Sequence, residues 1–233
     1  MGGALGLAAI GVQAASAVRR MRAGGATVRP LAHDVDLPGR FPPRWLVVLG
    51  DSAAAGHGVS HSDAALARRL GHALVAADGR ATAVRSVAVD GATTADVLAT
   101  QLEAARGAEV VVLGVGVNDA VHPARSLDGA AVSLRALLEG VRAAARPDAR
   151  IVLLSCPDLS RAPGLPAILR PWVGRRCRAL AARQAAVAAD LGVRIVDADR
   201  AVVSPELFGP DGFHPGDRGH QQLAERALAA LER

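Results

Sequence analysis

The chain has 233 residues, a formal net charge of +5, and a composition that is 51% hydrophobic but only 2% aromatic. This length suits one α/β domain with or without a tail, and the core must be built from Ala, Val and Leu. Every basic residue is an arginine and most stand among acidic residues. Nucleic-acid binding needs a basic stripe with stacking aromatic residues, so the composition argues against a nucleic-acid partner.

Residues 1–22 form an apolar N-terminal segment that runs to Val18 and ends in arginines at positions 19, 20 and 22. The apolar run is close to the lower limit for a membrane-spanning helix, ~17 residues. We expect a membrane anchor, and Arg19, Arg20 and Arg22 would place the following domain in the cytoplasm. An Ala-rich surface helix and a misplaced start are the alternatives. Ala15-Ser16-Ala17 resembles a leader cleavage site, although the segment lacks a charged n-region. Cleavage there would give a secreted protein, and a soluble cytoplasmic protein is the remaining option.

Residues 23–44 are rich in Gly and Pro and predict a linker, so the folded domain is expected over 45–233. There, short apolar runs alternate with segments of helical periodicity. The predicted strands are 45–50, 83–89, 109–116, 150–156 and 193–198. The predicted helices are 63–77, 93–106, 128–145, 174–191 and 217–232. Residues 158–172 predict a loop or a broken helix.

Parallel strands joined by helical crossovers account for this alternation. Strands that are apolar throughout, rather than at every second position, are buried on both faces. The sequence therefore predicts a three-layer αβα fold around a five-stranded parallel sheet. In such sheets the ligand site lies beyond the carboxyl ends of the strands, so the residues that follow each strand carry the functional information.

Three polar segments follow predicted strands: Gly50-Asp51-Ser52, Asp90-Gly91 and Gly116-Val117-Asn118-Asp119. A fourth, Asp211-Gly212-Phe213-His214-Pro215, precedes the last predicted helix. Each has a structural alternative, because Ser52 could cap a helix, Gly91 and Asn118-Asp119 could form turns, and His214 could lie on the surface. A phosphate-binding P-loop is excluded, since that motif requires a lysine and the chain has none.

Together the four segments supply the groups that acyl transfer requires. A serine hydroxyl such as that of Ser52 becomes nucleophilic when a base removes its proton, and His214 can be that base. Asp211, three residues earlier, can fix the imidazole tautomer. The backbone N–H groups of Ser52 and Gly91 and the side-chain amide of Asn118 can stabilise the oxyanion.

These segments resemble the four blocks of the SGNH hydrolases, or GDSL-type esterases and lipases, in the family's order from about Trp45 to the C-terminus. Ala53 stands where the family often has Leu, a position without a chemical role. The resemblance implies a flavodoxin-like sheet with strand order 2-1-3-4-5, and ester hydrolysis without a metal or cofactor. Asp51 and Asp119 lie in the same blocks and are expected to support the site.

The sequence thus predicts a serine ester hydrolase acting on a small-molecule or lipid ester. The alternatives are a catalytically silent flavodoxin-like binding module and an O-acetyl carbohydrate esterase. Scarce aromatic residues favour acyl esters over polysaccharides. The apolar stretch 162–174 is either a packed loop or a wall that contacts the acyl chain. Cys156 and Cys177 lack zinc-ligand spacing and are expected to be free thiols, or one disulfide if the protein is exported.

Overall fold

The computed structural model describes residues 34–200 and 204–232. The strands are β1 Val35–Leu37, β2 Arg40–Gly50, β3 Arg80–Ser86, β4 Val110–Gly114, β5 Arg150–Leu154 and β6 Arg194–Val196. The α-helices are α1 Leu66–Asp78, α2 Thr94–Thr100, α3 Val117–Val121, α4 Leu127–Ala144, α5 Arg170–Asp190 and α6 Asp217–Glu232. Short 3-10 turns at Leu159–Arg161 and Ala167–Leu169 break the Pro-rich segment before α5.

The described strands form one sheet in the order β1-β3-β2-β4-β5-β6. Strands β2 to β6 are mutually parallel, so the predicted order 2-1-3-4-5 of the five parallel strands is confirmed. The predicted count is one strand short, because β1 pairs antiparallel with β3 at the edge of the sheet. A three-residue strand is too short to leave a periodic signal in the sequence.

The predicted linker over residues 23–44 is wrong in its second half, where β1 and the first part of β2 belong to the sheet. Pro42 and Pro43 suggested a linker because proline removes a hydrogen-bond donor from a strand. Pairing of β2 with β4 begins only at Leu46, so one edge of the earlier part of β2 has no partner strand among the described residues. The register with β3 is also irregular between Arg40 and Arg44, which accommodates both prolines.

Helices cover both faces of the sheet, and successive residues of each central strand enter opposite layers. Leu46 and Val48 of β2 pack in the layer of α1 and α6, whereas Val47 and Leu49 pack in the layer of α2, α4 and α5. This alternation explains why the central strands are apolar at every position. It also fixes the carboxyl ends of β2, β4 and β5 side by side at one edge.

Among residues 34–200 and 204–232, the model has no helix whose length and apolar character would let it cross a membrane. The predicted anchor over residues 1–18 lies outside the described residues. Cys156 and Cys177 are both buried, and both are free thiols.

Candidate active site

Ser52, His214 and Asp211 form a continuous hydrogen-bonded chain at the carboxyl edge of the sheet. The Oγ atom of Ser52 lies 2.9 Å from Nε2 of His214, and Nδ1 of the same imidazole lies 2.5 Å from Oδ2 of Asp211. Ser52 and His214 are each only 8% exposed. The structure therefore brings together the hydroxyl, the imidazole and the carboxylate that were predicted from segments far apart in the chain.

The turn from Asp211 to His214 holds the carboxylate in place before any substrate binds. Oδ1 of Asp211 accepts hydrogen bonds from the backbone N–H groups of Phe213 and His214, at 2.9 and 3.0 Å. Burial alone would raise the pKa of Asp211, but these bonds and the one from the His214 ring outweigh it and lower that pKa. An ionised Asp211 keeps the proton of His214 on Nδ1, which leaves the lone pair of Nε2 facing Ser52.

Gln101, which the sequence analysis missed, fixes the end of β2 just before Ser52. Its buried side-chain amide pairs with both backbone groups of Gly50: the Gly50 N–H donates to Oε1 at 2.8 Å, and Nε2 donates to the Gly50 carbonyl at 2.9 Å. Gln184 bridges the next two strand ends in the same way, between the Val115 carbonyl and the Cys156 N–H. Gln101 follows the last residue of α2 and Gln184 lies within α5, and a polar residue among apolar neighbours is a weak sequence signal for such a role.

The loop that carries Ser52 and the loop that carries His214 touch through a glycine. Gly58 has a φ of +91°, and a Cβ placed on it would lie 2.2 Å from the carbonyl oxygen of Pro215. Only glycine permits this approach. The buried His220 of α6 reinforces the contact, because its ring bonds both the carbonyl of His57 and the N–H of Leu66. These contacts set the separation between Ser52 and His214.

The predicted oxyanion donors lie on two loops, those of Ser52 and Gly91, and in the short helix α3, which carries Asn118. The Asn118 amide donates to the carbonyl of Ala92 at 3.0 Å, which ties α3 to the loop of Gly91. Gly91 has a φ of +76° and lies exposed. Within the described residues, the backbone N–H groups of Ser52 and Gly91 have no hydrogen-bond acceptor. An amide carries two N–H donors, so Asn118 also retains one beyond its bond to Ala92.

The two supporting aspartates play different structural parts. Asp119 accepts hydrogen bonds from the N–H and the hydroxyl of Thr94, each at 2.9 Å, and so anchors the start of α2. Asp51 lies buried beside Ser52, with Oδ1 bonded to the N–H of Ala53 and Oδ2 without a partner in the described part of the chain. Burial raises the pKa of Asp51 to about 7.

An apolar cavity of about 60 Å³ opens beside Ser52 and His214. Its lining comes mostly from the ends of β4 and β5 and from the His214 loop, and includes Val115, Val117, Leu154, Leu159, Phe208 and Phe213. None of residues 162–174 lines it. That stretch packs instead against the Asp211 turn, where the Gly164 N–H donates to the Gly212 carbonyl at 2.8 Å. The packed-loop interpretation of 162–174 is therefore the better one.

A second histidine, His57, faces the first, and the sequence analysis did not single it out. Its ring centroid lies 5.2 Å from that of His214, and its Nε2 lies 3.7 Å from Oδ2 of Asp90. Burial lowers the pKa of His57. One ligand atom from each of His57, Asp90 and His214 lies within 4.8 Å of the other two, a spacing that could hold a metal ion.

Comparison with solved structures identifies proteins of the same fold. A lipase from a goat rumen metagenome superposes with a TM-score of 0.66 at 16% identity, covering 80% of this chain and 97% of that one. An acetylxylan esterase from Geobacillus stearothermophilus, in a catalytic mutant form, gives 0.61 at 19% identity, covering 81% and 94%. At these identities the likeness shows the fold alone, a three-layer α/β fold with a mostly parallel central sheet.

Sequence comparison then identifies the family. Residues 48–222 match the model of the GDSL-like Lipase/Acylhydrolase family, and the chain belongs to that family. A GDSL-like esterase of Mycobacterium tuberculosis (strain ATCC 25618 / H37Rv) is 29% identical over 196 residues, or 80% of this chain. This chain spans 61% of that relative's length. The resemblance to GDSL-type enzymes is confirmed.

Proposed function

We propose that this protein is a serine ester hydrolase in which Ser52 is the nucleophile, His214 the general base and Asp211 the group that orients the base. The observation that carries the proposal is the hydrogen-bonded chain from Ser52 Oγ through His214 to Asp211. A silent binding module has no need of this arrangement, in which a buried imidazole bonds a serine on one side and a carboxylate on the other.

Acylation begins when Ser52 Oγ attacks the ester carbonyl carbon. His214 Nε2 takes the hydroxyl proton as the new C–O bond forms, and the carbonyl electrons move onto oxygen. The imidazolium is stabilised by Asp211, which stays ionised. His214 then returns the proton to the departing alcohol as the old C–O bond breaks. Water repeats the sequence on the acyl-enzyme, which releases the acid and restores Ser52.

The negative oxygen of each tetrahedral intermediate needs donors that are in place before the reaction. The N–H groups of Ser52 and Gly91 have no acceptor in the described structure, and the Asn118 amide retains a donor. We assign the oxyanion hole to these three groups. Asp51 and Asp119 support the neighbouring backbone through their bonds to Ala53 and Thr94. No step of this reaction requires a metal or cofactor.

The size and lining of the cavity favour a short acyl group. Its volume of about 60 Å³ suits a few water-sized groups, and apolar side chains dominate its walls. An acetyl or butyryl chain fits this space better than a long fatty-acyl chain. An acetyl ester of a carbohydrate shares that acyl group, so an O-acetyl carbohydrate esterase is the second candidate, in keeping with the acetylxylan esterase of the same fold.

Hydrolysis of p-nitrophenyl acetate, butyrate, octanoate and palmitate by the purified protein tests both the reaction and the acyl preference. We expect kcat/KM to fall from butyrate to palmitate. Ser52→Ala should lower kcat by about 10⁴-fold or more, because a triad loses most of its effect when its nucleophile is removed. The matched control is Ser133→Ala, which removes a serine hydroxyl from helix α4, outside the lining of the cavity.

Full activity in Ser52→Ala, or equal losses in both serine variants, would contradict the assignment of the nucleophile. Release of acetate from an acetylated xylo-oligosaccharide, with kcat/KM above that for p-nitrophenyl acetate, would support the carbohydrate candidate. Hydrolysis of simple esters without any release of acetate from that oligosaccharide would exclude the carbohydrate candidate.

A further inference from the structure

We infer that His57, Asp90 and His214 form a zinc site, and that a zinc ion bound there inhibits the enzyme. The inhibition rests on the proposed function, whereas zinc binding depends on the three side chains alone. Two imidazoles and one carboxylate offer ligand atoms that lie within 4.8 Å of one another.

His57 is an independent indication of a ligand. The residue is only 5% exposed, yet Nε2 has no hydrogen-bond partner in the described structure. Leaving a buried polar nitrogen unsatisfied is unfavourable, and such groups are rare unless they serve a ligand. The backbone of His57 is held on both sides, through its N–H to the Ser52 carbonyl and through its carbonyl to the ring of His220. These contacts fix the backbone that carries the ring, and the ring faces Asp90.

The geometry suits zinc more than calcium or magnesium, which prefer oxygen ligands. In a tetrahedral zinc site three protein ligands leave a fourth position for water. The 3.7 Å between His57 Nε2 and Asp90 Oδ2 is near the ligand separation that such a site requires. The Asp90 side chain is 57% exposed and belongs to a loop, so it can move inward and the ion can enter from solvent.

His214 is already prepared as a ligand. Asp211 binds Nδ1 and directs the lone pair of the ring to Nε2, which is the arrangement of carboxylate–histidine–zinc triads. A zinc ion on Nε2 uses the lone pair that would otherwise accept the proton of Ser52. The serine then has no base, so inhibition follows from binding without any change in fold.

Binding is measured first, without reference to activity. The Ser52→Ala protein is titrated with ZnCl₂ by calorimetry, and with CoCl₂ while the visible bands of tetrahedral cobalt are recorded. We expect one ion per chain. Adding Asp90→Asn, which changes a half-exposed side chain and spares the fold, or His57→Gln should weaken affinity by about tenfold or more, the loss that even outer ligand partners cause. His72→Gln is the matched control, because it removes an exposed histidine from outside the cluster.

Inhibition is measured next, with Ser52 intact and p-nitrophenyl acetate as substrate. Zinc should inhibit ester turnover by the wild type and by His72→Gln, and EDTA should restore it. Asp90→Asn should keep its own turnover at zinc concentrations that inhibit the wild type. Absence of zinc binding, or equal affinity in Asp90→Asn, His57→Gln and the control, would overturn the site. If no variant hydrolyses esters, the proposed function fails, while the calorimetry and the cobalt spectrum still decide whether the zinc site exists.

Discussion

Replacing Gln101 with leucine tests whether the fold positions Ser52 through the end of β2. Leucine has a similar size, so the main loss is the pair of hydrogen bonds to Gly50. The Gly50 carbonyl keeps a second partner, the N–H of Val89 at 3.1 Å, but the Gly50 N–H becomes a buried orphan. Such an orphan costs about 1–3 kcal/mol and the lost carbonyl bond about 0.5–1.5 kcal/mol.

We therefore expect Gln101→Leu to lower the free energy of unfolding by about 2–4 kcal/mol, measured by urea denaturation. In a chain of this length that corresponds to a fall in Tm of roughly 5–15 °C. Gly50 is two residues from Ser52, and a displacement of about 1 Å at a nucleophile can slow the reaction 100-fold. The kcat for p-nitrophenyl acetate should fall by about 10-fold to 100-fold under conditions where the protein remains folded.

Leu137→Ala is the control for stability. Leu137 is fully buried among α2, α4 and the central strands, and its truncation should cost about 2–5 kcal/mol with little effect on kcat. If both variants lose the same stability and neither loses kcat, Gln101 is a packing residue and the positioning argument is refuted. An unchanged urea midpoint in Gln101→Leu would refute the hydrogen-bond argument itself.

Three further predictions concern the oxyanion hole, a buried carboxylate and the N-terminal segment. Asn118→Ala should lower kcat by about 100-fold or more with a much smaller change in KM, because the amide bonds the oxyanion more strongly than the ground state; a change confined to KM would assign Asn118 to substrate binding instead. The pKa of Asp51 is about 7 in the folded state against an ordinary 3.8, so the folded state retains a proton that the unfolded state releases, and stability falls as pH rises from about 4 to 7. Asp51→Asn should abolish this pH dependence, so its free energy of unfolding, measured by urea denaturation, should gain on that of the wild type by a few kcal/mol between about pH 4 and pH 7. A difference between the two proteins that does not change with pH would contradict this prediction. A chain shortened to begin at Ala26 should remain catalytically active and leave the membrane fraction, whereas a shortened chain that fails to fold would show that residues 1–25 belong to the core.

The parallel sheet and the four strand-end segments could be predicted because their signals are local. Apolar runs as short as 45–50 report burial on both faces, and the polar residues that follow them must meet at one edge. The same locality explains the failures. The edge strand Val35–Leu37 is too short for a periodic pattern. Pro42 and Pro43 led to the prediction of a linker, although they lie in the part of β2 that has one edge unpaired among the described residues and therefore tolerates proline.

The supporting residues of the site lie beyond sequence reasoning for a different reason. Gln101 and Gly50 are 51 residues apart, and nothing in either segment specifies that a side-chain amide will pair with a strand end. His57 was not singled out, because its possible role depends on Asp90 and His214, which reach it only through tertiary packing. Both roles follow from buried polar groups that must find partners across the fold.

The central claim is that Ser52 is made nucleophilic by His214 and Asp211. Its most direct test is covalent labelling with a fluorophosphonate, followed by intact mass measurement and peptide mapping. We expect one phosphonyl adduct per chain, located on Ser52, formed much more slowly in His214→Ala and absent in Ser52→Ala. An adduct on another residue, or labelling of Ser52→Ala at the wild-type rate, would contradict it.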